Sequence, residues 1–169
     1  MTSLELLSPT GVLAYAEVGF RLVLATALAG LLGWDREDKD RPAGLRTYML
    51  VALAAAVFTV LTFEIYETIS AGQSQVNADP IRIIEAVTAG VAFLAAGTII
   101  QARGSVRGLT TGAGMWMAGA LGVATGAGQS LLAIFAALLS FAILRFLAHL
   151  QSDPSKPSGP TLIDESEDS

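Results

Sequence analysis

Residues Arg46 to Tyr66 read RTYMLVALAAAVFTVLTFEIY. Between the arginine at one end and Glu64 near the other the run carries no charge, and its length matches the ~20 residues that a helix needs to cross ~30 Å of hydrocarbon. Polar and apolar residues do not alternate with period two, so the run is not a half-buried strand. Outward from it lie four more apolar runs, at Val18 to Trp34, Ile81 to Gln101, Leu109 to Thr125 and Ser130 to Leu150. A transmembrane barrel needs many more segments than this, each alternating, and strands are not expected. The predicted fold is all-α: an integral membrane bundle of about five transmembrane helices over residues 1–150, with no soluble globular domain. From Gln151 onward Asp, Ser, Pro and Glu dominate, so residues 151–169 are predicted to be a disordered acidic tail.

Composition agrees with this reading. The chain is 53% hydrophobic and 15% charged, where a soluble domain carries about 25% charged residues. The net charge of -5 comes largely from the tail, where Asp153, Asp164, Glu165, Glu167 and Asp168 face only Lys156. No basic stripe offers a nucleic-acid surface. The absence of cysteine excludes disulfides, thiol catalysis and thiolate metal sites. Met1 to Gly11 lacks the basic region of a cleavable signal peptide, so the first helix is expected to stay as an anchor.

Orientation follows from the cations. Arg36, Lys39, Arg41 and Arg46 fall in the first connection, Arg103 and Arg107 in the third, and Arg145 and Lys156 flank the last helix. The stretch before Glu17, the connection from Glu67 to Pro80 and the turn from Gly126 to Gln129 have none. Since cations in short loops stay in the cytosol, the N-terminus is predicted outside and the C-terminus inside. Pro42 and Pro80 suit first-turn positions of the second and third helices, where a missing N–H costs nothing.

Helices in lipid gain little from apolarity alone and need small residues for close contact. Gly114, Ala118, Gly122 and Gly126 recur at four-residue spacing, Ala25, Ala29 and Gly33 line the first helix, and Gly90 and Gly97 add positions in the third. Such stripes serve either as contacts inside the bundle or as the seam of a homo-oligomer.

Three motifs in order resemble the MgtC/SapB family of bacterial inner-membrane proteins. They are Arg36-Glu37 with Arg41-Pro42-Ala43-Gly44-Leu45-Arg46-Thr47, the run from Gly90 to Ile100, and Val106-Arg107-Gly108-Leu109-Thr110-Thr111 with Trp116 five residues on. The chain departs from the family pattern at Ala92 and Ala95, where glycines are expected, at Glu85, where a glutamine is expected, and at Asp35, which stands in for a glutamate-like residue. It is also expected to lack the soluble C-terminal regulatory domain of some members. The resemblance implies a membrane protein linked to growth in low magnesium and, in pathogens, to survival inside host cells. It further implies a regulator of other membrane machinery, with the proton-translocating ATP synthase a candidate partner, and not a magnesium pump.

The charged residues suggest two sites. The second and fourth helices both begin on the cytoplasmic side, and their positive ends carry Arg41, Gly44, Arg46 and Thr47 in one case and Arg107, Gly108, Thr110 and Thr111 in the other. Free N–H groups, hydroxyls and guanidinium forks favour phosphate or carboxylate, so an anion or lipid-headgroup site is expected between these two helix ends. The plainer reading is that these arginines only obey the positive-inside rule and pair with Glu37 and Asp38. Gly-Leu-x-Thr occurs at both starts, which hints at a parallel two-helix repeat. On the outer side Glu17 and Arg21 in the first helix, Glu64 in the second, and Arg82 and Glu85 in the third either snorkel and pair or place Glu17, Glu64 and Glu85, with Arg82, along an ion path, and these carboxylates are the candidate oxygen ligands there. His149 stands apart from any Ser/His/acid set, and there is no phosphate-binding loop of the Walker type. No enzyme activity and no cofactor are expected. The functional expectation is a regulatory membrane protein; the alternative is a small oligomeric transporter or channel for magnesium or protons.

Overall fold

The computed structural model describes residues 9–34, 42–71, 79, 81–102 and 105–151. Five helices appear: α1 (Pro9–Trp34), α2 (Leu45–Ala71), α3 (Ile81–Gly97), α4 (Leu109–Gly126) and α5 (Ser130–Gln151). Two short strands, β1 (Ile100–Ala102) and β2 (Ser105–Arg107), pair antiparallel between α3 and α4, with Ile100 opposite Arg107 and Ala102 opposite Ser105. The helices expected from the apolar runs are all present. The predicted acidic tail lies outside the described residues.

The differences have local causes. The third helix, expected through Gln101, stops at Gly97. Beyond it the Thr98 and Ile99 N–H groups reach back only three residues, to the carbonyls of Ala95 (3.0 Å) and Ala96 (3.1 Å), and the Thr98 hydroxyl donates to the Ala95 carbonyl at 2.7 Å. That tightened turn releases the β-branched residues Ile99 and Ile100 into the hairpin, which corrects the expectation that strands are absent. Conversely, α1 begins nine residues before Val18 and α2 runs past Tyr66 to Ala71, because a helix continues through polar turns that a hydropathy run excludes. Pro42 precedes α2 and does not occupy its first turn. Asp79 starts α3 by accepting the Ile81 N–H at 2.9 Å, a capping arrangement.

Helix α4 packs against all four others, with α1 and α2 completing a central trio and α3 and α5 on its flanks. Its stripe of Gly114, Ala118, Gly122 and Gly126 is filled by α2 of the same chain. A Cβ at Gly122 would stand 2.3 Å from the Ala52 carbonyl oxygen, and one at Gly126 would stand 2.8 Å from that of Ala56. Ala25, Ala29, Ala52, Ala118, Ala133 and Ala137 are fully buried, so the interior is built of small side chains and close backbones. Thr59 and Thr125, also buried, donate to carbonyls of their own helices, Ala55 at 2.7 Å and Leu121 at 2.9 Å, which pairs both hydroxyls among apolar neighbours. In contrast a Cβ at Gly90 or Gly97 would meet nothing within 4 Å, so these two make no close contact among the described residues.

Many large apolar residues point outward: Phe20, Leu50, Phe58, Phe93, Leu131 and Phe135 are all more than half exposed. Small inside and large apolar outside is the inverse of a water-soluble helical core. Two helices are long and apolar enough to cross a membrane, over Val12–Trp34 and Leu45–Ala71, and Ser130–Phe146 is a shorter apolar stretch. The rods differ in length: the 26 and 27 residues of α1 and α2 give about 40 Å, the 17 and 18 of α3 and α4 about 26 Å.

Candidate functional site

Four chain segments meet at one end of the bundle, around Tyr48. This side chain is fully buried one turn into α2, and its hydroxyl donates to the Thr111 carbonyl of α4 at 3.1 Å. Glycines make room for it. A Cβ at Gly114 would lie 2.3 Å from the Tyr48 hydroxyl oxygen, and one at Gly33, in the last turn of α1, would lie 3.1 Å from the Tyr48 Cβ and 2.8 Å from the Leu45 Cα. The starts of α2 and α4 are thereby locked together beside the end of α1. A tyrosine in an apolar interior needs an acceptor for its O–H, and here the acceptor is a backbone carbonyl of the helix that it helps to place.

The end of α3 joins the same group through Gly108. That residue caps α4 with φ +88°, and no side chain caps the helix. A Cβ on it would fall 2.0 Å from the Thr98 carbonyl oxygen. The hairpin thus carries the chain from Thr98 out and back so that Gly108 returns against it. The Gly112 N–H closes the first turn onto the Gly108 carbonyl at 2.8 Å, while at α2 the Thr47 and Tyr48 N–H groups close onto Gly44 at 3.1 and 3.2 Å. Both helix starts face this end, where the macrodipole is positive.

Of the residues proposed for an anion or headgroup site, Arg46, Arg107, Thr110 and Pro42 are exposed here, Thr47 and Gly44 are half-buried, and Thr111 is buried beneath them. Arg36, Glu37 and Arg41 lie outside the described residues. Trp116 is set apart on the flank of α4, half exposed beside an apolar groove of about 390 Å³ shared with Val87, Val91 and Leu132.

At the opposite end the proposed ion-path residues separate. Arg21 pairs with Glu17 and also donates to the Gly126 carbonyl at 3.2 Å, so it caps the end of α4, with Gly128 at φ +78° turning beside the guanidinium. Glu64, Arg82 and Glu85 are exposed. Among the described residues no three of His, Cys, Asp or Glu come together to hold a metal ion.

Sequence reading passed over the roles of Tyr48 and Thr98 at these ends, and of Arg21 it read only the charge beside Glu17. Tyr48 was legible in principle as the one hydroxyl-bearing ring within an apolar run directly after Arg46-Thr47. Thr98 gave no such signal, and for Arg21 the pairing with Glu17 was legible from its four-residue spacing whereas the bond to the Gly126 carbonyl, 105 residues away, was not.

The sequence profile of the MgtC family matches residues 22–152, which contain every contact just described around Tyr48. The chain belongs to the MgtC family. Relatives include a protein of Escherichia coli K12 named "Putative magnesium transporter YhiD", 32% identical over 136 residues, which cover 80% of this chain and 62% of the relative. "Protein SrpB" of Synechococcus elongatus is 34% identical, over 79% of this chain and 76% of its own. "Protein MgtC" of Brucella abortus is 40% identical over 104 residues, 62% of this chain and 40% of the relative. The chain therefore spans about two-fifths to three-quarters of the length of these relatives. No solved structure matches it. MgtC family membership together with the two long apolar helices points to a membrane location.

One prediction arises directly from the junction. Tyr48→Phe keeps the ring and removes the O–H, leaving the Thr111 carbonyl without its cross-helix donor. The expected loss is about 1 kcal/mol, measured as a lower midpoint in detergent unfolding. An unchanged midpoint would mean that the ring alone holds α2 to α4.

Proposed function

We propose that the protein is a regulator in the bacterial inner membrane, a multi-pass bundle of five spans with its N-terminus outside and its C-terminus in the cytosol. Its task is adaptation to low magnesium and, if its host is a pathogen, survival inside host cells. It acts without a cofactor and without catalysing a reaction, by presenting its cytoplasmic end to other membrane machinery. By family resemblance the proton-translocating ATP synthase is one candidate.

The observation that carries this reading is the Tyr48–Thr111 junction. It sets the starts of α2 and α4 side by side, with Arg46 and Arg107 exposed at the same end and the interior behind them filled by Ala and Gly. A rigid cationic end with a closed centre suits docking to an acidic partner surface or to phosphate headgroups. A conduit would instead want polar groups lining the centre.

The test is recovery of partners from membranes of magnesium-starved cells, comparing the intact protein with Arg46→Ala/Arg107→Ala. The expected result is a specific membrane complex that is lost with the double variant while insertion stays normal. If the variant kept both the complex and growth in low magnesium, the docking role of this end would be abandoned. A second reading, a small oligomeric ion transporter or channel, is favoured by the name of the Escherichia coli relative, "Putative magnesium transporter YhiD". It predicts magnesium or proton flux in liposomes that Glu85→Gln abolishes.

A further inference from the structure

We infer that the outward face of α3 seats a second copy of this chain in a parallel twofold dimer. The inference rests on the membrane reading above, since one bilayer holds both copies the same way up and so sets the twofold axis along the membrane normal.

Helix α3 is thinly held. Of its 17 residues only Val91 and Ala95 are buried, and they turn toward α4, where Val91 meets Gly119 and Ala95 meets Gly112. With 3.6 residues per turn, the opposite face carries Arg82, Glu85, Ala89, Phe93 and Ala96, all exposed. Phe93 is 81% exposed, more than any other large apolar side chain described. Beside it, between α2 and α3, runs an apolar groove of about 400 Å³ lined by Val51, Phe58, Ile83, Ala86, Gly90 and Leu94. Nothing among the described residues fills the space over Gly90.

A twofold contact is self-complementary, so each feature of the face needs its complement on that same face. Both members of two such pairs are present. The protruding Phe93 ring lies next to a groove at its own level, so each copy's ring can enter the groove of the other. Arg82 and Glu85 lie one turn apart and neither is ion-paired among the described residues. Across the axis Arg82 of one copy reaches Glu85 of the other, and the reverse. Ala89 and Ala96, small and between these pairs, let the two α3 backbones approach closely. This face is distinct from the Gly114 stripe, which α2 already fills.

Because the sequence has no cysteine, a single introduced cysteine cannot form a disulfide within one copy, and a covalent species of twice the chain mass reports contact between copies. Oxidation of isolated membranes should convert Ala89→Cys and Ala96→Cys to covalent dimers. Leu139→Cys, at a position on α5 that is 65% exposed, should stay monomeric. Added to Ala89→Cys, the charge reversal Arg82→Glu should lower the dimer yield by roughly threefold, and Arg82→Glu/Glu85→Arg should restore it. Equal yields at all three cysteine positions, or no recovery in the double reversal, would overturn the dimer, leaving lipid or a different protein as the occupant of the face. A chain missing from the membrane fraction would instead overturn the membrane reading, and the dimer with it.

Discussion

Gly108→Ala is expected to cost about 3 kcal/mol or more of stability, the largest effect of a single added methyl group among the described residues. Two terms add. The residue sits at φ +88°, a conformation that penalises a Cβ by about 1–2 kcal/mol. That Cβ would also fall 2.0 Å from the Thr98 carbonyl oxygen, and a backbone atom in a hydrogen-bonded turn cannot move aside as a flexible side chain can. Relief requires the hairpin or the first turn of α4 to shift, which would carry Arg107 and Thr111 away from the start of α2. Unfolding of purified protein in detergent measures the loss. A midpoint within error of the parent would show that Gly108 does not abut Thr98.

Gly122→Ala is the second large effect, at about 2 kcal/mol or more. Its Cβ would meet the Ala52 carbonyl oxygen at 2.3 Å and the Ala55 Cβ at 2.7 Å, so one methyl group forces α2 and α4 apart along their closest line of contact. Gly97→Ala is the matched control, because it adds the same methyl where nothing lies within 4 Å and replaces glycine by a better helix former. The pair should move unfolding midpoints in opposite senses, or the control should leave its midpoint unchanged. Equal losses from both would contradict the packing of α2 on α4.

The comparison of these two glycines also marks how far the sequence could be read. Apolar runs located the five helices because hydrocarbon length and helix rise set their scale. The four-residue spacing of Gly114, Ala118, Gly122 and Gly126 marked a close contact, but nothing in that spacing named the partner, which proved to be α2. Gly90 and Gly97 looked equivalent by composition and yet face open space, since burial depends on which side of α3 meets α4. The hairpin escaped because Ile99-Ile100-Gln101 extends an apolar run without a break, and the stop at Gly97 is made by a Thr98 hydroxyl bonding three residues back. At the candidate site the cationic residues were legible from charge alone. Their placement at a single bundle end depends on Tyr48 reaching Thr111, 63 residues away, a contact that no local pattern encodes.

The unequal helix lengths carry one more consequence. Hydrocarbon deep enough to match α1 and α2 is deeper than α3 and α4 can span upright, and mismatch costs a fraction of a kcal/mol per Å. In the five-span bundle proposed above, lipid on the α3 flank would be drawn thin while lipid beside α1 would not, which would make the bundle a wedge in the plane of the membrane. Its energy would depend on acyl-chain length, and the inferred pairing of two thin flanks would hide the defect from the surrounding lipid.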